Sequence, residues 1–499
     1  MIFRWEADPP SDLYRQSSFR IDFPEPLDLS RVPERAWWTI ALACLHPHWV
    51  FLKPCEVRLP VRLGPGEAET WLRLMDAQAA TLEAYRRARP CGEGPGTAET
   101  SSSFRGGSDT ERTVGILEGS ASPAPWSPVP DSGRCAAAFS GGKDSLLQAA
   151  LLSELTERPV LVCTTSPMPP LGDHSTARRR RVLSEISTRR DVELVEVRSD
   201  FRGCWDNGFS QRLGYTSSVN ELTDTFLYFG SLLATGLALG ASRLFLASEA
   251  EVQQNAEHDG WVIQHPHCMY SGVTQRALQA LLAPAGVHYG SLTLPLWSAQ
   301  VQGLLWKRYP DICDLQYSCW RVQDGESACG RCSQCLRISL CALAAGEDPG
   351  RMGMDLARVL WSMRHWTPTP LSEGGRQGLR AKVVGRSLQL QVVRHIQATP
   401  LGRVFNTLRK RPRWFLDPKV PAALCGYSFL RRRHRAFSAG EEPGYRAGFL
   451  RLIDPLLRER VAAVYAAHLK AEDDASHAAV LSRADSLARW IAEPIGGLG

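Results

Sequence analysis

One stretch of this chain places two glycines, a lysine and two hydroxyl groups between an apolar run and a leucine-rich segment. The stretch is SGGKDS, residues 140–145, within CAAAFSGGKDSLLQAALL. Glycines let the backbone curl tightly and bring its N–H groups close to phosphate oxygens, because no Cβ atom obstructs them. A helix that opens at Asp144 and Ser145 adds its positive N-terminal dipole, and Lys143 adds a full positive charge. The stretch therefore has the chemistry of a polyphosphate-binding turn.

The spacing of this turn separates it from a better-known phosphate loop. The nucleoside-triphosphatase P-loop needs G-x-x-x-x-G-K-[ST], and the spacing here is shorter. An ordinary strand-to-helix turn is the alternative interpretation. A six-residue string with a strand before it and a helix after it rarely arises by chance, so the sequence favours a phosphate site.

Four cysteines form a second group with the spacing of a metal site. They lie in SCWRVQDGESACGRCSQCLR, and three of them follow a C-x-x-C-x-x-C pattern; the candidate ligands are Cys319, Cys329, Cys332 and Cys335. Four thiolates can bind one tetrahedral Zn²⁺ at about 2.3 Å, and the glycine at 330 helps the tight turn between ligands. Such a zinc would be structural, because no coordination position stays open. An iron–sulfur cluster and a redox pair are the alternatives.

Both groups need an α/β fold with a parallel sheet to position them. From residue 134 onward, apolar runs alternate with helical patterns; the strand candidates are RCAAAF, PVLVCTT, VELVEVR, RLFLAS and VHYGSLTL. Strands that alternate with helices indicate a parallel sheet covered on both faces. In such sheets the ligand crevice lies outside the carboxyl ends of the strands. A first strand ending at Phe139 puts residues 140–145 there.

The sequence pattern divides the chain into four parts. Residues 1–88 have the pattern of a small α+β unit, and residues 89–133 are rich in Gly, Ser, Pro and Thr. That second part has few large apolar residues to offset its ordering entropy, so we predict a mostly disordered linker. Residues 134–348 form the predicted α/β domain with its zinc site. Residues 349–499 are predicted to be a helical, basic region.

Composition is that of a folded soluble protein, with 44% hydrophobic and 22% charged residues. The start MIFRWEADPP lacks the basic end and apolar run of a signal peptide, and no stretch of about 18 uncharged apolar residues follows. We therefore expect a cytoplasmic protein with no membrane partner. The 14 cysteines would then stay reduced, and clustered cysteines would indicate metal.

Positive charge is concentrated near the C-terminus. Residues 371–470 contain 20 Lys or Arg and 6 Asp or Glu, including RKRPR at 409–413 and RRRHR at 431–435. A polyanionic or acidic partner and a solvated basic face both explain this excess. No nucleic-acid-binding motif accompanies the charge, so nucleic acid is not the favoured partner. We expect no tight RNA binding at physiological salt.

Three weaker signals accompany these groups. Glu249 and Glu251 follow the predicted strand RLFLAS, where a carboxylate could hold Mg²⁺ or a substrate amine, or could be a solvated loop acid. The string HPHC at 265–268 could bind a second metal, although its proline and loop setting argue against this. The run RRRR at 178–181 could bind phosphate or RNA, but such a run is more often a solvated helix face.

The glycine-rich turn and the cysteines together resemble a known family. SGGKDS is similar to the PP-loop motif of the N-type ATP pyrophosphatases, which cleave ATP between its α- and β-phosphates. With the C-x(9)-C-G-x-C-x-x-C cluster, residues 134–345 resemble the 7-cyano-7-deazaguanine synthases, or QueC family. The resemblance implies ATP, Mg²⁺ and structural zinc as cofactors, with the four cysteines as zinc ligands. It implies catalytic roles for Lys143 and Asp144, and these ATP-binding residues: Ser140, Gly141, Gly142, Lys143, Asp144 and Ser145.

That family adenylates the carboxylate of 7-carboxy-7-deazaguanine, forms an amide with ammonia, and then activates the amide to give the nitrile. This chain departs from the family pattern in its substrate region. The family has an Arg-Asn pair before the fourth strand and D-x-S-G-Y-P-D after it, where this chain has SVNELTDTF and ASEAEVQQNAEHDG. The gap from Cys319 to Cys329 is also one residue longer than in the family. The identity of the carboxylate is therefore open.

The length of the chain favours one branch of this resemblance. A free-standing nitrile synthase needs about half of 499 residues, whereas the overall build resembles the QueC-like proteins of bacterial anti-phage systems. That resemblance implies a deazaguanine-type carboxylate coupled to a protein amine, with the partner protein encoded nearby. A small-molecule amide or nitrile synthase, a tRNA-modifying ATP pyrophosphatase and a non-catalytic interaction module are the alternatives.

Overall fold

The protein is an α/β fold built on a seven-stranded, mostly parallel sheet. The computed structural model describes residues 1–87, 114–121, 125–166, 174–215, 218–253, 256–258, 261–263, 268–316, 319, 328–366, 386–410, 416–435 and 444–472. The strands are β1 (Ile2–Arg4), β2 (Ser18–Asp22), β3 (Cys55–Val61), β4 (Val114–Ala121), β5 (Cys135–Ala138), β6 (Val160–Thr165), β7 (Glu193–Ser199), β8 (Arg243–Phe245), β9 (Ala256–His258), β10 (Trp261–Ile263) and β11 (His288–Gly290).

Helices cover both faces of this sheet. They are α1 (Glu34–Leu45), α2 (Glu67–Arg87), α3 (Lys143–Leu155), α4 (His174–Arg189), α5 (Phe209–Arg212), α6 (Val219–Ala238), α7 (Gly272–Leu282), α8 (Ser298–Arg308), α9 (Ser333–Ala344), α10 (Leu356–Ser362), α11 (Arg386–Ala398), α12 (Leu401–Leu408), α13 (Lys419–His434) and α14 (Pro455–Ala466). Within the described part of the chain, no helix is both long and apolar enough to cross a membrane.

The strand order is β1-β2-β7-β6-β5-β8-β11. From β5 the chain adds β6 and β7 on one side and later adds β8 and β11 on the other, all parallel to β5. The order of strands therefore reverses between β5 and β8. Parallel sheets of this kind open a crevice at the carboxyl end of that reversal point, because the connections leave it in opposite directions.

Side-chain alternation along the central strands explains why the sheet is buried on both faces. In β5 and β6, Ala136, Val160 and Val162 pack into one core, while Ala137 and Leu161 pack into the other. The first core includes residues of α1, α2, α6 and α7, and the second includes residues of α3, α8, α9 and the C-terminal helices. Strands buried on both faces have continuous apolar sequences, as these do. The structure therefore confirms the predicted α/β fold class with its mostly parallel sheet.

The N-terminal residues extend the central sheet. Strand β2 pairs antiparallel with β7, with Ile21 opposite Ser199, and β1 pairs antiparallel with β2. Helix α1 packs on α6 so closely that a Cβ atom on Gly230 would lie 2.7 Å from Ile40. The described residues of the segment 1–88 form both helices and strands, as expected of an α+β unit. They share one hydrophobic core with the α/β domain.

The structure differs from the expectation of a disordered linker. Residues 114–121 form strand β4, which pairs in parallel with β3. Further along, Asp131 makes an ion pair with the buried Arg243 of β8 at 2.7 Å, and the N–H of Val129 donates to the carbonyl of Ala285. The segment has few large apolar residues, but Val114 lies in the core and Ile116, Trp126 and Val129 pack against it, in addition to the backbone pairing and the ion pair. Residues 88–113 lie outside the described residues.

The C-terminal region is helical where it is described, as expected, and it packs on the second face of the sheet. The hydroxyl group of Tyr465 in α14 donates to the carbonyl of Leu292 just beyond β11, and the indole N–H of Trp297 donates to the carbonyl of Gly444. Residues 473–499 lie outside the described residues. The described C-terminal helices therefore complete the fold.

Two buried histidines follow α1 and should make folding sensitive to acid. Burial lowers the pKa of His46 to about 4, and burial together with the neighbouring His46 lowers the pKa of His48 to about 3. Unfolded histidines titrate near 6.5, so folding favours the neutral imidazoles. The stabilisation is present above pH 6.5 and is lost as pH falls. Between pH 7 and pH 5 each histidine should cost about 2 kcal/mol of unfolding free energy.

Replacing His48 by leucine should flatten this acid dependence. The two ring nitrogens of His48 are buried without a hydrogen bond in the described structure, so the substitution breaks no hydrogen bond there. We expect the urea midpoint of His48→Leu to fall less between pH 7 and pH 5 than that of the parent protein, monitored by tryptophan fluorescence. The exposed His365→Leu is the control and should behave like the parent. Equal pH dependence of all three proteins would contradict the assignment.

Candidate functional site

The glycine loop, residues 140–145, joins β5 to α3 at the reversal point of the sheet. Gly141 has φ +76°, a left-handed conformation that side chains with a Cβ rarely adopt. Gly142 is the N-cap of α3, with extended backbone and no side chain to cap the first helical N–H groups. Those N–H groups have no carbonyl partner further back in the helix, so they are available to an anion.

The two serines of the glycine loop fix its conformation through hydrogen bonds within the loop. The N–H of Ser140 donates to the hydroxyl oxygen of Ser145 at 3.2 Å, and that hydroxyl donates to the carbonyl of Gly142 at 3.1 Å. The hydroxyl groups of Ser140 and Ser145 lie 3.2 Å apart. The loop is thus preshaped by its own side chains, and binding would not have to order it.

A pocket opens directly above this loop. It has a volume of about 250 Å³ and includes Ser140, Gly142, Asp144 and Ser145 of the loop in its lining. The rest of the lining comes from the carboxyl ends of β5 and β6, from the segment after β8, and from two tyrosines: Ala138, Phe139, Val162, Thr164, Tyr228, Leu246, Ala247, Ser248, Glu249, Val252 and Tyr270. The pocket therefore combines a polar floor with apolar and aromatic walls.

Lys143 does not line the pocket. Its side chain is only 4% exposed, and its ammonium group makes an ion pair with Asp144 at 2.5 Å and a second with Glu249. The prediction that Lys143 contacts a phosphate remains a prediction. In the structure its charge joins the glycine loop to the segment after β8.

The pKa values of Lys143, Asp144 and Glu249 are all displaced from their ordinary values. Burial favours neutral Lys143, but the charges of Asp144 and Glu249 outweigh it and raise its pKa. Burial opposes ionisation of Asp144, yet the adjacent Lys143 lowers its pKa. Burial, followed by repulsion from Asp144, raises the pKa of Glu249 well above its ordinary value. The two carboxyl groups also hydrogen bond, and the opposite directions of their pKa shifts make Glu249 the member of the pair that takes up a proton more readily.

Glu251 was a candidate for the pocket, and the structure places it elsewhere. It is fully buried and accepts the N–H of Ser298, the first residue of α8, at 2.8 Å. It also accepts the side-chain amide of Gln391 in α11 at 2.9 Å. Its carboxylate therefore anchors a helix N-terminus and a C-terminal helix, and it is neither a solvated loop acid nor part of the pocket lining.

Helix α9 links the cysteine group to these charges. Cys335 and Arg337 both lie on α9. The positive charge of Arg337 acts on the pKa of Lys143, of Asp144 and of Glu249. A metal that fixes the start of α9 would also fix Arg337 near the glycine loop.

The four predicted cysteines come together as predicted and could hold one metal ion. Their Sγ atoms all lie within 4.8 Å of one another, with Cys329 and Cys335 at 3.7 Å and Cys332 and Cys335 at 3.5 Å. Four sulfurs around one zinc lie about 3.8 Å apart if each Zn–S bond is about 2.3 Å. The N–H of Cys329 donates to the sulfur of Cys319 at 3.3 Å, an arrangement that supports a thiolate. These separations suit a single ion better than a larger iron–sulfur cluster.

Two weaker predictions have different outcomes. Arg180 and Arg181 of the RRRR run pair with Glu196 and Glu185, at 2.8 Å and 2.7 Å, so these two arginines belong to a solvated helix face. Residues 265–267 of the HPHC string lie outside the described residues.

The sequence patterns did not identify the residues that form the walls of the pocket. Thr164 could have been found, since it ends a predicted strand at the same sheet edge. Tyr228 gave no signal, because an aromatic residue in the apolar helix α6 has the pattern of a core residue. Its hydroxyl accepts a hydrogen bond from Arg202 at 2.8 Å, which fixes one wall of the pocket.

Comparison with known proteins adds no assignment. No protein-family model, no curated protein and no solved structure matches this chain. The interpretation of the site therefore depends on its own geometry.

The cysteine group predicts one zinc ion per chain. Cys332→Ser should lose about one equivalent of zinc and lower the melting temperature by about 10 °C or more, because metal binding and folding are coupled. Elemental analysis and differential scanning fluorimetry measure both effects. The exposed Cys425→Ser is the matched control and should keep its metal and its stability. Iron in place of zinc, or a folded parent protein without metal, would refute the assignment.

Proposed function

We propose that this chain is a PP-loop ATP pyrophosphatase that activates a carboxylate as its adenylate and couples it to an amine. The observation that carries the proposal is the glycine loop at the reversal point of a parallel sheet, with a pocket above it. Free N–H groups at the start of α3, left-handed Gly141 and the adjacent positive charges suit a polyphosphate. The resemblance of SGGKDS to the PP-loop motif supplies the identity of the nucleotide.

The pocket lining suits a nucleotide in a defined orientation. The phosphates would lie against Ser140, Gly142 and Ser145, at the end where backbone N–H groups converge. A flat base would fit the apolar end, against Val162 of β6 and Leu246, which directly follows β8. Cofactor pockets commonly combine such an apolar wall with a few converging polar groups.

The proposed reaction has two steps. A carboxylate oxygen of the substrate attacks the α-phosphorus of ATP, the bond from the α-phosphorus to the bridging oxygen breaks, and pyrophosphate leaves. An amine nitrogen then attacks the acyl carbon, the acyl–oxygen bond breaks, AMP leaves, and the nitrogen loses a proton as the amide forms. Preorganised N–H groups and Lys143 would stabilise negative charge on the departing pyrophosphate.

The charged residues beside the pocket can support both steps. Glu249 lines the pocket, and its raised pKa makes its carboxylate form a competent acceptor for the proton that the amine loses. Asp144 also lines the pocket and, with Glu249, could hold Mg²⁺ once nucleotide phosphates compete for Lys143. Mg²⁺ would add positive charge at the phosphates.

The substrate and the acceptor follow from the resemblance and from the length of the chain. A 7-carboxy-7-deazaguanine-type carboxylate is flat, and Tyr228 and Tyr270 of the lining offer aromatic faces for it. Ammonia would need no extra surface, whereas about 240 residues outside the α/β domain and linker could present a protein chain terminus. An α-amine has a pKa about two or more units below that of lysine, so more of it is uncharged and nucleophilic at neutral pH. We therefore favour a protein N-terminus as acceptor, in anti-phage defence.

Lys143→Ala should abolish pyrophosphate release. Loss of its charge should reduce the rate by about 100-fold or more, the effect seen when one preorganised charge-stabilising group is removed. A coupled phosphate assay measures the rate. The exposed Lys307→Ala on α8 removes a lysine charge elsewhere and should retain activity.

A second variant is needed because Lys143 also neutralises buried carboxyl groups, so Lys143→Ala alone could lower the stability of the protein. Lys143→Ala/Glu249→Gln removes one of those carboxyl groups with the lysine and should recover a melting temperature close to that of the parent. It should still release no pyrophosphate. Unchanged pyrophosphate release by a folded Lys143→Ala protein would rule out the proposed role.

The acceptor can be identified by intact-protein mass. The enzyme is incubated with ATP, 7-carboxy-7-deazaguanine and the proteins encoded beside it, and every protein is then weighed. We expect one partner to gain the mass of the acylated base, and the gain to vanish with Lys143→Ala. Conversion of the base to free amide or nitrile, with all protein masses unchanged, would instead support a small-molecule synthase.

A further inference from the structure

Helices α10 and α13 expose two large aromatic rings next to several arginines that make no ion pair within the described part of the chain. The side chains of Trp361 and Phe429 are each 45% exposed, although aromatic residues of this size are usually buried. We call this region the aromatic–basic surface; its members are Trp361, Arg364, His365, Phe429, Arg432 and Arg433.

Close packing of the two helices holds these residues on one surface. A Cβ atom on Gly426 would lie 3.0 Å from the carbonyl oxygen of Leu360, so glycine at this position permits the approach of α13 to α10. The rings of His365 and Phe429 meet edge to face, with centroids 5.4 Å apart. The guanidinium of Arg364 lies 4.0 Å from the centroid of Trp361. Helix α10 with the turn that follows it, and helix α13, therefore each contribute an aromatic ring and cations to this surface.

The charge of this surface is of one sign. Residues 356–366 and 419–435 contain seven Lys or Arg and no Asp or Glu. In the described structure, Arg364, Arg432 and Arg433 make no ion pair. The helix dipole stabilises cations at the C-terminal end of α13. This effect does not explain why aromatic rings are exposed beside those cations.

We propose that the aromatic–basic surface binds single-stranded nucleic acid, with phosphates on the arginines and bases stacked on Trp361 and Phe429. Stacking on exposed rings within a basic surface is the recognition mode of proteins that bind single strands without sequence preference. A duplex would satisfy the charges but not the rings, because its base faces are already stacked. An acidic protein segment would likewise satisfy only the charges. The inference is independent of the proposed function.

The test is fluorescence anisotropy with labelled poly(U) and poly(dT) oligonucleotides of about 20 nucleotides, at several salt concentrations. Trp361→Ala/Phe429→Ala removes stacking without changing charge and should weaken binding about tenfold or more. Arg432→Gln/Arg433→Gln should weaken binding and reduce the slope of log affinity against log salt by about 1.5. Because all four residues are at least partly exposed, the variants should keep the melting temperature of the parent.

Matched controls separate this surface from non-specific effects. Leu117→Ala/Leu456→Ala removes comparably exposed apolar groups elsewhere, and Arg58→Gln/Arg62→Gln removes two exposed charges near the N-terminus. Both should bind like the parent protein. The proposal is overturned if the parent binds neither oligonucleotide at low salt, or if a duplex binds as tightly and is unaffected by the aromatic substitutions. It is also overturned if the control variants lose as much affinity, or if polyglutamate binds in place of the oligonucleotides.

Discussion

The site depends on the two ion pairs that the buried ammonium group of Lys143 makes. This group lies between Asp144, in the first turn of α3, and Glu249, which follows β8. These two segments lie on opposite sides of the point where the strand order reverses, so one charge holds the two edges of the pocket together. Removing one partner from a buried charge group of this kind typically costs about 3–5 kcal/mol, because the remaining charge is left without compensation. The same group that is proposed to act on phosphate therefore also maintains the shape of the pocket.

This arrangement explains why the chemistry and the stability of the site are difficult to separate. Burial and then repulsion from Asp144 raise the pKa of Glu249, while Lys143 lowers the pKa of Asp144 against the effect of its burial. A bound polyphosphate would compete for Lys143 and would change all three protonation states together. The metal site is connected to the same charges through Arg337 on α9. Substitution of a cysteine would therefore be expected to disturb these charges, even though none of the four cysteines lines the pocket.

Much of the central fold could be predicted from sequence, for reasons that specific residues illustrate. Apolar runs such as VLVCTT and the glycines of SGGKDS mark buried parallel strands and a tight strand-to-helix turn through local chemistry alone. The four cysteines were predictable because metal ligands require fixed residue types at fixed spacing. Strand β4 was missed because its pairing depends on β3, more than 50 residues earlier in the chain. The orientation of Lys143 was missed because nothing in SGGKDS reveals that Glu249, 106 residues later, lies beside it.

The role of the C-terminal helices was the least predictable feature, because their basic composition indicated only a surface. Their most informative contact is polar and buried: Gln391 of α11 donates to Glu251, which also caps the N-terminus of α8. On the other side of α11, the hydroxyl of Tyr427 in α13 donates to the carbonyl groups of Ile396 and Thr399. A chain without these helices would leave the carboxylate of Glu251 short of a hydrogen bond and would expose the apolar side of α8 and α9 to water. The helices that carry the aromatic–basic surface are therefore part of the scaffold that supports the pocket, and they cannot be treated as a separable appendage.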